Sequence, residues 1–165
     1  MGHHLTALIG KDTISRSKLK EYGLAVAFEK GYAIVILDDE AMDRLDDLLD
    51  KDTEALGENI EWDCELTLFL AKEIGLGVFA LIKTDYFAGL GEQHACVYDG
   101  GDKKLDNVCI NTVLRELGVE CEGEQDEFDS INLSEYRQSE IYYWNPGNWA
   151  DKKENMIGGR VLDSL

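Results

Sequence analysis

The sequence has little proline and no long apolar run. A single proline beside 16 glycines in 165 residues excludes a proline-rich or collagen-like polymer. No apolar stretch approaches the roughly 20 residues that span a bilayer, and residues 1–10 lack the cationic region and long apolar core of a signal peptide. We therefore expect a soluble, cytoplasmic protein that makes no membrane contact.

Cysteine and histidine are too few and too scattered for the usual metal, disulfide or catalytic patterns. Four cysteines occur without a Cys-x-x-Cys pair, so we expect reduced thiols, with Cys64, Cys96 and Cys109 as small buried hydrophobic residues. Only three histidines are present, which supplies neither a histidine-rich metal site nor a Ser-His-Asp triad. No cofactor is expected, although a metal bound by His3, His4 and carboxylates, or by the acidic runs, stays open.

The remaining composition is that of a folded chain. Hydrophobic residues make up 44% of the sequence, including 3 Trp, 7 Tyr and 5 Phe, which is too much apolar surface for a disordered protein. A length of 165 residues fits one core. We interpret residues 1–165 as a single domain with an acidic loop at about 120–129 and an aromatic C-terminal segment.

Apolar periodicity predicts an α+β fold. Alternating or continuous apolar runs indicate at least four strands, and apolar residues at helical spacing indicate about three helices. The predicted strands are 1–10, 24–28, 32–37, 78–82 and 94–98, with a hairpin turn at 29–31 and a glycine-bearing connection at 85–93. The predicted helices are 38–49, 60–74 and 105–117, and 11–20 is a loop or short helix. These elements favour a mainly antiparallel sheet.

Charge is the most informative feature of the composition. Asp and Glu number 34 against 16 Lys and Arg, so the formal net charge is −18. Such a field repels nucleic acid and anionic membranes, and it accelerates encounter with a basic protein. The alternative interpretation is that acidity only maintains solubility or reflects a salt-rich cytoplasm.

Two acidic runs are candidate contact surfaces. The first is the outer face of the predicted helix 38–49, where like charges at i,i+3 and i,i+4 cost a few tenths of a kcal/mol per pair and therefore favour a functional role over a merely solvated face. The second is the acidic loop. Neither has the 12-residue ligand spacing of a calcium loop. The candidate residues are Asp43, Asp46, Asp47 and Asp50 on the helix, and Glu122, Glu124, Asp126 and Glu127 in the loop.

A small hydrolase or metal-dependent enzyme is the alternative from another functional class. His94 and Cys96 stand at i and i+2 on a predicted strand and therefore point the same way, with Asp85 or Glu92 as a helper carboxylate. Gly89-Leu90-Gly91 lacks the third glycine of a dinucleotide loop, and we assign its glycines to turn geometry.

Two stretches, DYFAGLGEQ at 85–93 and DEFDSINL at 126–133, resemble small bacterial immunity proteins of polymorphic toxin or contact-dependent growth inhibition systems. The resemblance covers about 78–137. It implies a small α+β cytosolic protein that binds and blocks a toxin domain, often a cationic nuclease, and it supplies no catalytic residues. The sequence is therefore interpreted as a toxin-neutralising protein with a basic protein partner, and it does not separate this reading from an adaptor or phage-encoded subunit.

Overall fold

The fold is seen in a computed structural model that describes residues 2–136 and the two-residue strand 160–161. Six antiparallel strands form one sheet, and a short seventh strand extends it in the order β6-β5-β4-β1-β3-β2-β7. The strands are β1 His3–Lys11, β2 Ala25–Glu29, β3 Tyr32–Ile36, β4 Val78–Phe87, β5 Leu90–Asp99, β6 Asp102–Val108 and β7 Arg160–Val161.

Helices cover both faces of this sheet. They are α1 Arg16–Tyr22, α2 Asp39–Leu49, α3 Glu65–Ile74, α4 Ile110–Glu116 and α5 Glu127–Ser130. Because side chains alternate along a strand, Leu8 of β1 packs in one core and Ile9 in the other. The first face carries α1, α2 and α3, and the second face carries α4 and α5. The predicted α+β class with a mainly antiparallel sheet is confirmed.

Several local predictions are also confirmed. Strand β1 and the β2–β3 hairpin lie where the apolar pattern placed them, with Lys30 and Gly31 both at positive φ in the turn. The helix predicted at 38–49 is α2, and Asp38 is its N-cap, its side chain accepting a hydrogen bond from Ala41 N at 2.8 Å. The segment 11–20 contains the start of α1, capped by Ser15.

The predicted start of the second helix is wrong. Helix α3 begins at Glu65 rather than at 60. The preceding residues are held in a non-helical path because the buried Asp63 carboxylate is bound by Tyr98 and Lys103 on the sheet. A tertiary contact between polar groups therefore overrides the local apolar spacing.

The predicted hairpin with a glycine-bearing tip is confirmed, but its connection is shorter than the predicted 85–93, since most of those residues are paired strand. Strands β4 and β5 continue to a turn of two residues, Ala88 and Gly89, both at positive φ. Only Gly89 is explained by turn geometry. Gly91 is required for a different reason: a Cβ there would lie 2.0 Å from the backbone oxygen of Asp85.

The third predicted helix starts too early. Leu105 belongs to β6, where it pairs with Val97 of β5, and the register shifts at a β-bulge nearby. Helix α4 begins only at Ile110. The apolar residues at the end of β6 and the start of α4 together have helical spacing. Pairing of β6 with the sheet edge outweighs that local preference.

Candidate functional site

The acidic face of α2 is positioned by the packing of its opposite side. Ala41, Met42 and Leu45 are buried against the first face of the sheet, and the helical repeat then directs the remaining positions outward. Asp43, Asp47 and Asp50 are exposed, and Asp46 is half-buried. The structure therefore places all four predicted helix residues on one outer surface.

These four carboxylates do not stabilise the described fold. Within residues 2–136 and 160–161, none of Asp43, Asp46, Asp47 and Asp50 has a side-chain hydrogen bond or an ion pair. They are spaced i,i+3 and i,i+4, and the last turn of α2 carries no basic residue to offset the negative end of the helix dipole. The local arrangement therefore costs free energy in the isolated protein.

An exposed apolar residue accompanies this charge. Leu48 lies on the last turn of α2 with 68% of its surface exposed, and Leu56, in the segment that follows, is 56% exposed. We call Asp43, Asp46, Asp47, Leu48 and Asp50 the α2 surface. It combines carboxylates that have no partner among the described residues with one exposed apolar group beside them.

The acidic loop differs because three of its four predicted contact residues, Glu122, Asp126 and Glu127, bind other parts of the fold. Glu122 forms an ion pair with Lys30 of the β2–β3 turn. Asp126 caps α5 by accepting from Asp129 N at 2.9 Å, and it also accepts from Asn111 Nδ2 at 3.0 Å. Within the described part of the chain, Glu124 alone of the four predicted loop residues is exposed without such a contact.

Glu127 does not belong to an exposed surface. Its residue is only 5% exposed, and its carboxylate accepts a hydrogen bond from Arg115 Nε at 2.8 Å. A backbone hydrogen bond and the Arg115 guanidinium hold the pKa of Glu127 below its usual range. The expectation that Glu127 faces a partner is therefore corrected: it ties α5 to α4.

The two acidic regions lie on opposite sides of the sheet. Met42 and Leu45 bring α2 to the first face, whereas Val119 and Ile131, which flank the acidic loop and α5, pack in the core of the second face. The sequence pattern did not predict that the two acidic regions lie on opposite faces. A single flat contact therefore engages one region or the other.

The groups of the enzymatic alternative are only partly brought together. His94 Nε2 lies 3.3 Å from Glu92 Oε2, and His94 Nδ1 lies 3.1 Å from Asn107 Oδ1. Cys96 is buried, and burial raises its pKa to about 12, so the thiol stays protonated at neutral pH. His94 and Cys96 therefore do not constitute an activated nucleophile pair in this geometry.

The remaining members of that alternative have other partners. Asp85 Oδ1 lies 2.8 Å from His4 Nδ1. His3 and His4 point to opposite faces of β1, and His3 instead contacts Thr84 and the backbone oxygen of Leu133. In the described residues no group of three or more His, Cys, Asp or Glu side chains is arranged to hold a metal ion.

The cysteine prediction is right for two residues and wrong for a third. Cys64 and Cys96 are buried. Cys109 is exposed at the N-cap of α4, where its thiol lies 2.9 Å from Thr112 Oγ1. The helix starts after Cys109, so this residue is at a terminus and not on the buried stripe.

Two of the cavities formed by the described residues are features that the sequence did not reveal. One cavity, of 340 Å³, lies on the second face between the end of the sheet and helices α4 and α5. Its polar side chains largely hydrogen-bond to one another or to the backbone: Gln93 Nε2 donates to Tyr86 Oη, and Gln93 Oε1 accepts from Ile110 N. The other is a groove of 560 Å³ beside α3, which we call the α3 groove. The α3 groove follows one side of α3, where residues at i, i+3, i+4 and i+7 remain exposed or half-buried. This spacing is visible in the sequence; the residues are Glu65, Leu68, Phe69 and Lys72.

The predicted aromatic segment at Tyr142, Tyr143, Trp144 and Trp149 lies outside the described residues. Tyr136, just before it, is fully buried and donates a hydrogen bond from its hydroxyl to Glu29 Oε1 at 2.5 Å. This aromatic residue is therefore part of the core.

Comparisons with protein families, with curated proteins and with solved structures each find no match for this chain. Among the described residues no helix is both long enough and apolar enough to cross a membrane. The resemblance to immunity proteins stays a prediction made from the sequence.

Proposed function

We propose that this protein is a toxin-neutralising immunity protein of the cytoplasm, which binds a basic toxin domain, most simply a nuclease, and covers its cationic active-site region. The α2 surface is the contact. The observation that carries the proposal is that Asp43, Asp46, Asp47 and Asp50 have no partner among the described residues, although they lie close together on one helix.

Electrostatics supports a basic protein as the partner. The net charge of −18 steers a cationic domain toward the molecule and keeps polyanions such as nucleic acid away. A partner that places Lys and Arg against the α2 surface removes the repulsion among its carboxylates. Binding therefore relieves the like-charge repulsion that destabilises α2 in the isolated protein.

Leu48 supplies the non-polar part of the contact. A few residues at the desolvated centre of an interface contribute most of the affinity, and near-neutral contacts around them exclude water. Leu48 is an exposed apolar group on the last turn of α2; its helical neighbours at i−4 and i−3 are Arg44 and Leu45, so it flanks the carboxylates rather than being enclosed by them. Charge sets the association rate, and burial of Leu48 slows dissociation.

The direct test is co-expression with the basic domain encoded by the neighbouring reading frame. The wild-type chain should restore growth, and the purified pair should associate with a rate constant that falls as salt rises. The variant Asp43→Asn/Asp47→Asn/Asp50→Asn should associate roughly tenfold or more slowly, with a flatter salt dependence.

A variant of equal charge provides the control. Asp99→Asn/Asp102→Asn/Glu116→Gln also removes three exposed carboxylates, but from the β5–β6 turn and α4. It should bind like wild type. If both variants slow association equally, net charge alone accounts for binding and the α2 surface is not the contact; if no basic domain is bound or neutralised, the proposed function fails.

A second arm examines the acidic loop. Glu122→Gln/Glu124→Gln leaves the α5 cap at Asp126 and the buried Glu127 unchanged. Loss of toxin binding in this variant, with the α2 variant unaffected, would move the contact to the second face.

A further inference from the structure

The α3 groove has a charge opposite to that of the molecule. Its floor and wall are apolar, and two lysines line it against one carboxylate. The lining includes Leu68, Phe69, Leu76, Phe79, Lys51, Lys72 and Glu65. A volume of 560 Å³ is within the range of small-molecule sites.

The two lysines have no anionic partner in the described chain. Among the described lysines, Lys18, Lys30 and Lys103 form ion pairs; Lys51 and Lys72, like Lys11, Lys20, Lys83 and Lys104, form none with the described residues. The case of Lys51 is specific. It follows Asp50 and precedes Asp52, yet its Nζ lies over the Phe69 ring at 4.6 Å from the centroid. The Lys51 ammonium is therefore directed to the groove and away from its neighbouring carboxylates.

Gly77, one of the residues that line the groove, is exposed and has open space at its Cβ position. Gly77 does not have a positive φ, and nothing lies within 4 Å of the position that a Cβ would occupy. Neither backbone conformation nor a close contact requires glycine there. Its backbone oxygen accepts a hydrogen bond from Gly100 N at 3.0 Å, which joins it to the β5–β6 turn on the other side of the groove.

From this geometry we infer that the α3 groove binds a small amphiphilic monocarboxylate, with its acyl or aromatic body on Leu68, Phe69 and Phe79 and its carboxylate at Lys51 and Lys72. The apolar lining favours the body of such a ligand, because burial removes both surfaces from water. The lysines favour an anionic head over a neutral or cationic one. This site shares no residue with the α2 surface, although Lys51 directly follows Asp50, and it does not depend on the proposed function.

Octanoate is a suitable probe, used below its micelle concentration with the full, ¹⁵N-labelled chain. Saturable shifts are expected at the amides of Gly75, Gly77, Gly100 and Gly101, which line the groove and resonate in the distinct glycine region. Octyltrimethylammonium, with the same chain length and the opposite charge, should bind at least fivefold more weakly. Tighter binding of the cation at these glycines, or octanoate shifts that scatter over the protein without saturation, would overturn the inference.

Charge variants separate the head from the body of the ligand. Lys51→Gln/Lys72→Gln should raise the Kd for octanoate roughly fivefold to tenfold and leave the Kd for octan-1-ol unchanged. Lys11→Gln/Lys104→Gln, at two other exposed lysines on β1 and β6, should leave both unchanged. If both variants raise the Kd for octanoate equally, net charge alone explains the effect, and this outcome would contradict a site at Lys51 and Lys72.

Blocking the groove provides the last arm. Gly77→Val places a branched side chain at the rim and should weaken octanoate and octan-1-ol alike by more than tenfold. Gly77→Ala, a smaller change, should have an intermediate effect. Unaltered binding in a folded Gly77→Val protein would show that the probe binds elsewhere.

Discussion

The hydroxyl of Tyr98 on β5 donates a hydrogen bond to Asp63 Oδ1 at 2.5 Å. The other carboxylate oxygen accepts one from Lys103 Nζ, also at 2.5 Å. Asp63 is only 2% exposed, so these two partners replace the water that an ionised carboxylate requires. The contact fixes the segment between α2 and α3 onto the sheet and thereby sets where α3 begins.

Removing Lys103 should therefore destabilise the protein. Lys103→Met leaves the Asp63 charge buried with one hydrogen bond, and we expect a loss of about 2 kcal/mol in the free energy of unfolding, less than for a fully buried pair because the Lys103 side chain is 21% exposed. Urea denaturation measures it. Lys104→Met, at the exposed neighbour on β6, is the control and should change stability by less than about 0.5 kcal/mol. Equal effects would mean that Asp63 does not depend on its ammonium partner.

Stability should fall at alkaline pH. Burial first, and then hydrogen bonds to Asp63 and Glu29, raise the pKa of Tyr98 and of Tyr136 above the usual 10.0, and burial raises the pKa of Cys96 from 9.0 to about 12. Above about pH 9 the unfolded chain releases these protons while the folded chain retains them, so the unfolding free energy decreases as pH rises. The stabilisation contributed by these three groups should be fully present only well below pH 9.

Urea denaturation from pH 7 to pH 11 measures this dependence. Tyr136→Phe should lower stability at pH 7, because Glu29 loses its hydroxyl donor, but should decline less steeply above pH 10. A variant curve parallel to that of wild type would contradict the assignment of a raised pKa to Tyr136.

The α2 surface should be one where substitutions stabilise the isolated protein. Asp43→Asn/Asp47→Asn/Asp50→Asn removes like-charge pairs and negative charge near the C-terminal end of the helix, and asparagine tolerates the left-handed conformation of residue 50 at φ 49°. We expect a gain of roughly 0.5 to 1 kcal/mol at low salt. Thermal unfolding measures this gain. The control is Asp99→Asn/Asp102→Asn/Glu116→Gln, which removes the same charge outside α2 and so separates the helix effect from the effect of net charge. A loss of stability in the α2 variant alone would mean that its carboxylates support the fold.

Glycines of the β4–β5 hairpin should differ in their tolerance of alanine. At Gly91 a Cβ would meet the Asp85 backbone oxygen at 2.0 Å, so Gly91→Ala must displace a paired strand and should cost about 3 kcal/mol. Gly89 has φ 80° and nothing within 4 Å of a Cβ, so Gly89→Ala should cost only about 1 kcal/mol. Denaturation of the two variants measures the difference, and comparable losses would contradict the steric origin assigned to Gly91.

The local sequence pattern correctly predicted the elements that depend only on contacts between residues close together in the chain. The alternation in β1, the turn at Lys30-Gly31 and the Asp38 cap of α2 depend on neighbours within a few residues, and each was predicted correctly. The beginning of α3 and the strand identity of Leu105 were predicted wrongly, because each depends on a partner outside its own segment: Asp63 on Lys103, far along the chain, and Leu105 on Val97, across the β5–β6 hairpin.

The same distinction applies to the candidate site. The α+β class, the excess of negative charge and the outward direction of the α2 carboxylates follow from composition and helical periodicity, which are properties of the chain alone. The lack of partners for the α2 carboxylates among the described residues, the burial of Glu127 against Arg115 and the placement of the two acidic regions on opposite faces of the sheet emerge only in the folded molecule. Burial and ion pairing depend on which distant segments meet, and that is decided when the sheet forms and its two faces are covered.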